Sequence, residues 1–120
     1  MIKILLVEDH PDIRDVVQIH LERLGFVVSI AKNGKEGVET ALAAKPDLIL
    51  MNCKMPEMDG WQAMRLLRAN PNTTNIPILA ATAMFQPSDI QRCIDAGCND
   101  YIVKPFTFIE LQRKIKALLD

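Results

Sequence analysis

The residues best equipped for chemistry in this sequence fall at one kind of place, directly after or at the end of short runs of apolar and β-branched residues. Glu8-Asp9 follows Ile4–Val7, and Asn52 follows Leu48–Met51. Thr82 closes Ile78–Thr82, and Lys104-Pro105 follows Tyr101–Val103. Two carboxylates, an amide, a hydroxyl and an ammonium thus stand at the carboxyl ends of strand-like segments. An apolar domain has no packing use for such a set, and its charges are costly to hold without a counter-ion. Adjacent carboxylates beside carbonyl oxygens suit a hard divalent cation such as Mg2+, kept partly hydrated and completed by a phosphate. The lysine and the hydroxyl suit the remaining phosphate oxygens. No Walker-type or dinucleotide-type glycine pattern occurs, which argues against a nucleotide.

These ends converge only if the runs share one sheet. Five runs, Ile4–Val7, Val27–Ala31, Leu48–Met51, Ile78–Thr82 and Tyr101–Val103, alternate with helical patterns. The first and third are continuously apolar, as in strands buried on both faces. Pro11 opens the first helix and Gly25 follows its end, with Ile13, Val16, Val17, Leu21 and Leu24 at helical spacing. The other four helices are predicted to start at cap pairs: Asn33/Glu36, Asp59/Gln62, Ser88/Gln91 and Thr107/Glu110. Gly97 reads as the stop of the fourth helix. Five βα units predict a single α/β domain over residues 1–120. The flavodoxin-like, doubly wound sandwich with a parallel sheet of order 2-1-3-4-5 is one of two common solutions and is the fold expected here. Ligands bind outside the carboxyl ends of such strands.

Composition bounds the function. The chain has 120 residues, 49% of them hydrophobic and 24% charged, with a net charge of −1. It is long enough to bury roughly 65% of its unfolded surface, so a core without disulfide staples is expected. The near-neutral charge gives no footprint for direct nucleic-acid binding or for a membrane surface. No apolar run is long enough to span a bilayer, and no signal peptide is visible. Cys53, Cys93 and Cys98 lack metal-binding spacing, and a reduced, cytoplasmic protein is the simplest reading. Cys93 and Cys98 read as small packing residues, whereas Cys53 stands beside the candidate site. His10 and His20 read as surface residues, Met55 and Met58 as loop packing, and Trp61 as partly exposed.

The sequence resembles the receiver domain of bacterial response regulators along its whole length. The matching motifs are Leu5-Leu6-Val7-Glu8-Asp9, Pro46-Asp47-Leu48-Ile49-Leu50-Met51 and Met55-Pro56-Glu57-Met58-Asp59-Gly60. They continue with the run from Ile76 to Ala83 and with Ala96-Gly97-Cys98-Asn99-Asp100-Tyr101-Ile102-Val103-Lys104-Pro105-Phe106. The resemblance implies a Mg2+ site in which Asp9 ligates directly and Glu8 through water. Position 52 and the main-chain carbonyl of Lys54 complete it. Lys104, joined to Pro105 by a cis peptide bond, contacts the phosphoryl group. Thr82 closes on that group, and Tyr101 rotates inward as its switch partner. The resemblance further implies a histidine kinase or histidine phosphotransfer protein as phosphodonor. A downstream protein or a second copy would dock on the face of the fourth helix, fifth strand and fifth helix.

Position 52 departs from the family. The phosphoacceptor there is an aspartate, whereas this chain has Asn52. A neutral amide oxygen is not a competent nucleophile, and it brings one anionic charge fewer to the cation, so Mg2+ should bind more weakly. The chain as written should therefore not be phosphorylated. Glu8, Asp9, Thr82, Tyr101 and Lys104 are all retained, which favours an engineered Asp→Asn form. The alternative is a natural pseudo-receiver acting as a phosphorylation-independent interaction module, and a sequence error ranks last. An enzymatic role on a related sheet, such as an aspartyl-phosphate phosphatase or mutase, needs an aspartate nucleophile and usually a cap insertion, and the chain has neither. Without a phosphoryl group, Tyr101 is expected to point outward.

Overall fold

Alternation of side chains along the strands divides the core in two. In the computed structural model, which describes residues 1–83 and 86–120, the strands are β1 (Lys3–Val7), β2 (Val27–Ala31), β3 (Leu48–Asn52), β4 (Ile78–Thr82) and β5 (Asp100–Val103). The helices are α1 (Pro11–Arg23), α2 (Gly34–Ala44), α3 (Gly60–Ala69), α4 (Pro87–Ala96) and α5 (Phe108–Leu119). All strand pairs are parallel, in the order β2-β1-β3-β4-β5. This is the expected flavodoxin-like fold.

One set of alternate residues, Leu5, Val7, Ile49, Met51, Ile78 and Ala80, packs against Ala41 of α2, Trp61, Met64 and Leu67 of α3, and Cys93 of α4. The other set, Ile4, Leu6, Leu48, Leu50, Leu79 and Ala81, packs against Val17 and Leu21 of α1 and Leu111 and Ile115 of α5. Successive strand residues point to opposite faces, so a strand between two helical layers must be apolar throughout. That is why β3 and β4 are buried at every position. Truncating a fully buried member such as Ile49 to alanine costs about 2–5 kcal/mol.

The helix starts obey local chemistry, with one exception. Asn33, Asp59 and Thr107 accept from the N–H groups of Glu36, Gln62 and Glu110, and the latter two complete capping boxes. The expected Ser88/Gln91 pair does not cap α4. Pro87 is already in the first turn, so the helix begins two residues earlier, with Gln86 at the cap and no side-chain cap bond. Ser88 is thereby inside the helix, and Gln91 donates to Asp95 instead. Gly25 and Gly97 lie beyond α1 and α4 with φ of +94° and +117°, as a left-handed stop requires.

Two further expectations are corrected. Trp61 is only 3% exposed. Its ring joins the core cluster, and the Arg92 guanidinium covers it at 3.8 Å from the ring centroid. His20 is half-buried and stacks on Phe108, with ring centroids 4.1 Å apart. Met55 and Met58 pack onto the same cluster as Trp61, as loop packing requires.

Candidate functional site

Strand register brings the candidate residues to one rim. Val7 is level with Met51, Asn52 with Ala81, and Thr82 with Val103, so Glu8 follows level with Asn52, and Thr82 and Lys104 emerge one and two residues further along the same rim. Main-chain bonds carry the ladder past the strand ends: Glu8 N–H to Ala31 O at 3.0 Å, Cys53 N–H to Ala81 O at 3.0 Å, and Lys104 N–H to Thr82 O at 2.8 Å. Gly60 locks the loop after β3. Its N–H donates to Cys53 O at 2.7 Å, and a side chain there would collide with the Asn52 carbonyl.

The polar atoms on this rim form a closed network centred on Asn52, which is 7% exposed. Its amide nitrogen donates to Asp9 Oδ1 at 2.9 Å, Glu8 Oε2 at 3.2 Å and the Lys54 carbonyl at 3.2 Å. Its amide oxygen accepts from Lys104 Nζ at 2.8 Å. Lys104 also makes an ion pair with Glu8 Oε1 at 3.0 Å. Glu8, 4% exposed, accepts as well from the main-chain N–H of His10 at 3.1 Å at the start of α1. The orientation of the amide follows from its partners, because Lys104 can only donate and the three oxygens around the nitrogen can only accept.

This geometry tests the cation reading. Glu8 Oε2, Asp9 Oδ1 and the Lys54 carbonyl converge on a single point, a donor set that suits a hard cation. That point is taken by the amide nitrogen of Asn52. The oxygens fit Mg2+, while the residue at position 52 competes for them.

Thr82, 2% exposed, ends β4 at the rim. The Lys104–Pro105 peptide bond is cis, as the resemblance implied. Tyr101 is half-buried against the α2–α3–α4 side of the core instead of projecting outward. Lys114 Nζ lies 5.0 Å from its ring centroid and pairs with Asp100 at 3.2 Å. An apolar cavity of about 570 Å³ adjoins the rim, lined by Ile13 and Val16 of α1 and by Ala83, Lys104, Pro105 and Phe106.

Sequence reasoning missed several supporting residues. His10 caps α1 through Nδ1, accepting from the Ile13 N–H at 3.5 Å, and Arg14 donates to the Glu8 carbonyl at 3.2 Å. Pro11 was the available signal, since a proline in a first turn marks its predecessor as a cap. Cys53 Sγ lies 3.5 Å from Cys93 Sγ, a contact that spacing does not reveal.

A family model described as the response regulator receiver domain matches residues 4–116. The chain belongs to this family. The receiver domain of the sensor histidine kinase PA1611 from Pseudomonas aeruginosa, solved with a magnesium ion coordinated in its active-site cleft, is 40% identical. The match covers 98% of this chain and 96% of that one, with a TM-score of 0.91. The chemotaxis protein CheY4 of Vibrio cholerae is 30% identical over 99% of both chains, with a TM-score of 0.94. Among curated relatives, the DNA-binding dual master transcriptional regulator RpaA of Synechocystis is 38% identical over 99% of this chain and 49% of its own length. The chain thus spans about half the length of several curated relatives it matches. Receivers are signalling modules of two-component systems that interact with histidine kinases or phosphotransfer proteins. Among the described residues, no helix is long and apolar enough to cross a membrane.

Proposed function

We propose that residues 1–120 are one receiver domain whose rim is complete for phosphoryl transfer except for the attacking oxygen. Lys104 and Thr82 hold phosphoryl oxygens, and position 52 is aimed at them from the end of β3. Glu8, Asp9, the Lys54 carbonyl and Asn52 are the residues that would hold Mg2+, which neutralises phosphoryl oxygens when bound. The observation that carries this reading is the Asn52 amide, whose oxygen accepts from Lys104 at 2.8 Å and whose nitrogen faces the three acceptor oxygens of Glu8, Asp9 and Lys54. An oxygen held by Lys104 is where a nucleophilic carboxylate oxygen belongs. Here it is part of a neutral amide, so the phosphoryl group is not accepted, and the cation competes with an N–H donor and binds weakly.

The retention of every other rim residue favours an engineered Asp→Asn form. The pseudo-receiver reading draws on a different observation. Both the oxygen and the nitrogen of the Asn52 amide are engaged, so the site is self-consistent as it stands. In either case the phosphodonor is a histidine kinase or histidine phosphotransfer protein. The output face is α4–β5–α5, where Ile94 is 48% exposed beside the half-buried Ile90 and Tyr101. A net charge of −1 supports a protein partner over direct nucleic-acid or membrane contact, and a cytoplasmic setting suits the three free thiols.

The test is incubation with acetyl phosphate and Mg2+, read by intact mass. The Asn52→Asp form gains one phosphate and the chain as written gains none. An adduct on the chain as written, mapped to Asp9 or Asp59, overturns the assignment of position 52. No adduct on the restored aspartate with Mg2+ bound overturns the mechanism.

A further inference from the structure

The contact between Cys53 and Cys93 plays no part in the phosphoryl chemistry and links the two regions that chemistry must couple. Cys53 immediately follows Asn52, and Cys93 lies in α4, 40 residues further on. Their sulfurs are 3.5 Å apart, and the residues are 1% and 0% exposed. Both backbones are pinned. Cys53 gives its N–H to Ala81 and accepts from Gly60, and Cys93 sits within the helix. We propose that Cys53 and Cys93 are a reversible dithiol–disulfide pair that fastens the phosphoacceptor end of β3 to α4.

A disulfide needs its sulfurs at about 2.05 Å, so they must close by roughly 1.5 Å through side-chain rotation. The two thiols already share a hydrogen bond, in which either sulfur can donate. That bond and the indole N–H of Trp61 bring the Cys93 thiol down. Cys98, half-buried at the end of α4, behaves oppositely. Desolvation and the neighbouring Cys93 and Asp100 push its thiol up to about 11, so it is a poor competitor.

Burial selects a small neutral oxidant, hydrogen peroxide, over a bulky disulfide such as oxidised glutathione. The Cys93 sulfur attacks one peroxide oxygen, the O–O bond breaks, and the other oxygen leaves as water with the thiol proton. The Cys53 sulfur then attacks the Cys93 sulfenic acid, the S–O bond breaks, and hydroxide takes the Cys53 proton and leaves as a second water. Two thiols and one peroxide give one disulfide and two waters. The two electrons come from the sulfurs. The cross-link restrains α4 whatever occupies position 52, and so does not depend on the phosphorylation reading.

The test uses the chain as it is. It is treated with hydrogen peroxide, unfolded in N-ethylmaleimide and weighed. The expected product is two hydrogens lighter with a single maleimide on Cys98, joins the Cys53 and Cys93 peptides, and is reversed by dithiothreitol. Oxidised glutathione should act more slowly than peroxide. Hydrogen exchange in α4 should slow on oxidation. A Cys98→Ser variant should keep the link, and because Cys98 is the least buried thiol its fold is the safest to perturb. Three maleimides after peroxide, oxygen added without a link, or a link through Cys98 would each overturn the pairing. Unchanged exchange in α4 would overturn the tether.

Discussion

Restoring aspartate at position 52 should change the stability of this chain in a direction that reports on the amide network. In the present form the Asn52 nitrogen donates to two carboxylates and a carbonyl at 2.9–3.2 Å. Hydrogen bonds to charged acceptors contribute about 1.5–3 kcal/mol each and a neutral one about 1 kcal/mol. The nitrogen has two protons to share among the three, so Asn52→Asp removes the equivalent of two charge-assisted bonds, about 3 kcal/mol at the lower end. It also sets a third anionic oxygen against Glu8 and Asp9, where unit charges 4 Å apart repel by about 4 kcal/mol at an effective dielectric of 20. Lys104, 2.8 Å from the amide oxygen, returns an attraction of the same order.

Without a divalent cation, the Asn52→Asp form should therefore be less stable by about 3 kcal/mol. At a urea slope of about 1.5 kcal/mol per molar, that is a midpoint lower by about 2 M. Mg2+ should recover most of the loss, because it fills the place the amide nitrogen vacates. The assay is urea unfolding of both chains in EDTA and in saturating Mg2+. The chain as written should shift far less between the two, because Mg2+ binds it only weakly. Equal midpoints for the two chains in EDTA would mean that the amide bonds contribute nothing. A Mg2+ stabilisation of the chain as written as large as that of the aspartate form would mean that the amide does not hold the cation's position.

The remaining predictions concern the supports of the rim and the loops. Lys104→Met should destabilise the chain by about 3–5 kcal/mol, because Glu8, 4% exposed, loses its ion pair; urea unfolding checks this, and a change under 1 kcal/mol would refute it. Arg68 donates to the carbonyls of Ile76, Thr74 and Gly97 at 2.7–2.9 Å and to Asn99 Oδ1 at 2.7 Å, so Arg68→Ala should cost about 2–4 kcal/mol and speed hydrogen exchange between α3 and β4. Cys98, pushed up to about 11 from 9.0, should alkylate with iodoacetamide about 100-fold more slowly at pH 8 than a free cysteine, with the rate rising until about pH 11. A thiol raised by folding favours the folded chain below pH 9, and that contribution is lost as pH climbs to about 11, where thermal unfolding midpoints should fall.

What was legible in the sequence was what local chemistry decides. Continuous apolar runs marked β1 and β3, because a parallel strand between two helical layers has no solvent face. Residue types at the strand ends marked the rim, because Glu8, Asn52, Thr82 and Lys104 have no packing use there. The misreadings came from partners distant in the chain. Trp61 opens a helix and read as half-exposed, but Arg92 of α4 covers it. His20 read as a lone surface residue, but Phe108 of α5 stacks on it. The Ser88 cap failed for a local reason, since Pro87 takes the first turn itself.

The orientation of Asn52 belongs to the distant kind, and the function turns on it. An asparagine at position 52 is visible in the sequence, and so is its lack of nucleophilic charge. Which way its amide faces is decided by Lys104, 52 residues away, and by Asp9, 43 residues away. Lys104 supplies only donors and the carboxylates only acceptors, so one orientation satisfies every atom and the flipped one opposes like to like. A change that looks like the loss of one charge thus also converts an acceptor into a donor at the point where the oxygens converge. For this reason Asn52 does more than silence the acceptor. It supplies internally, through two N–H protons, part of the positive charge that Glu8 and Asp9 otherwise draw from a cation.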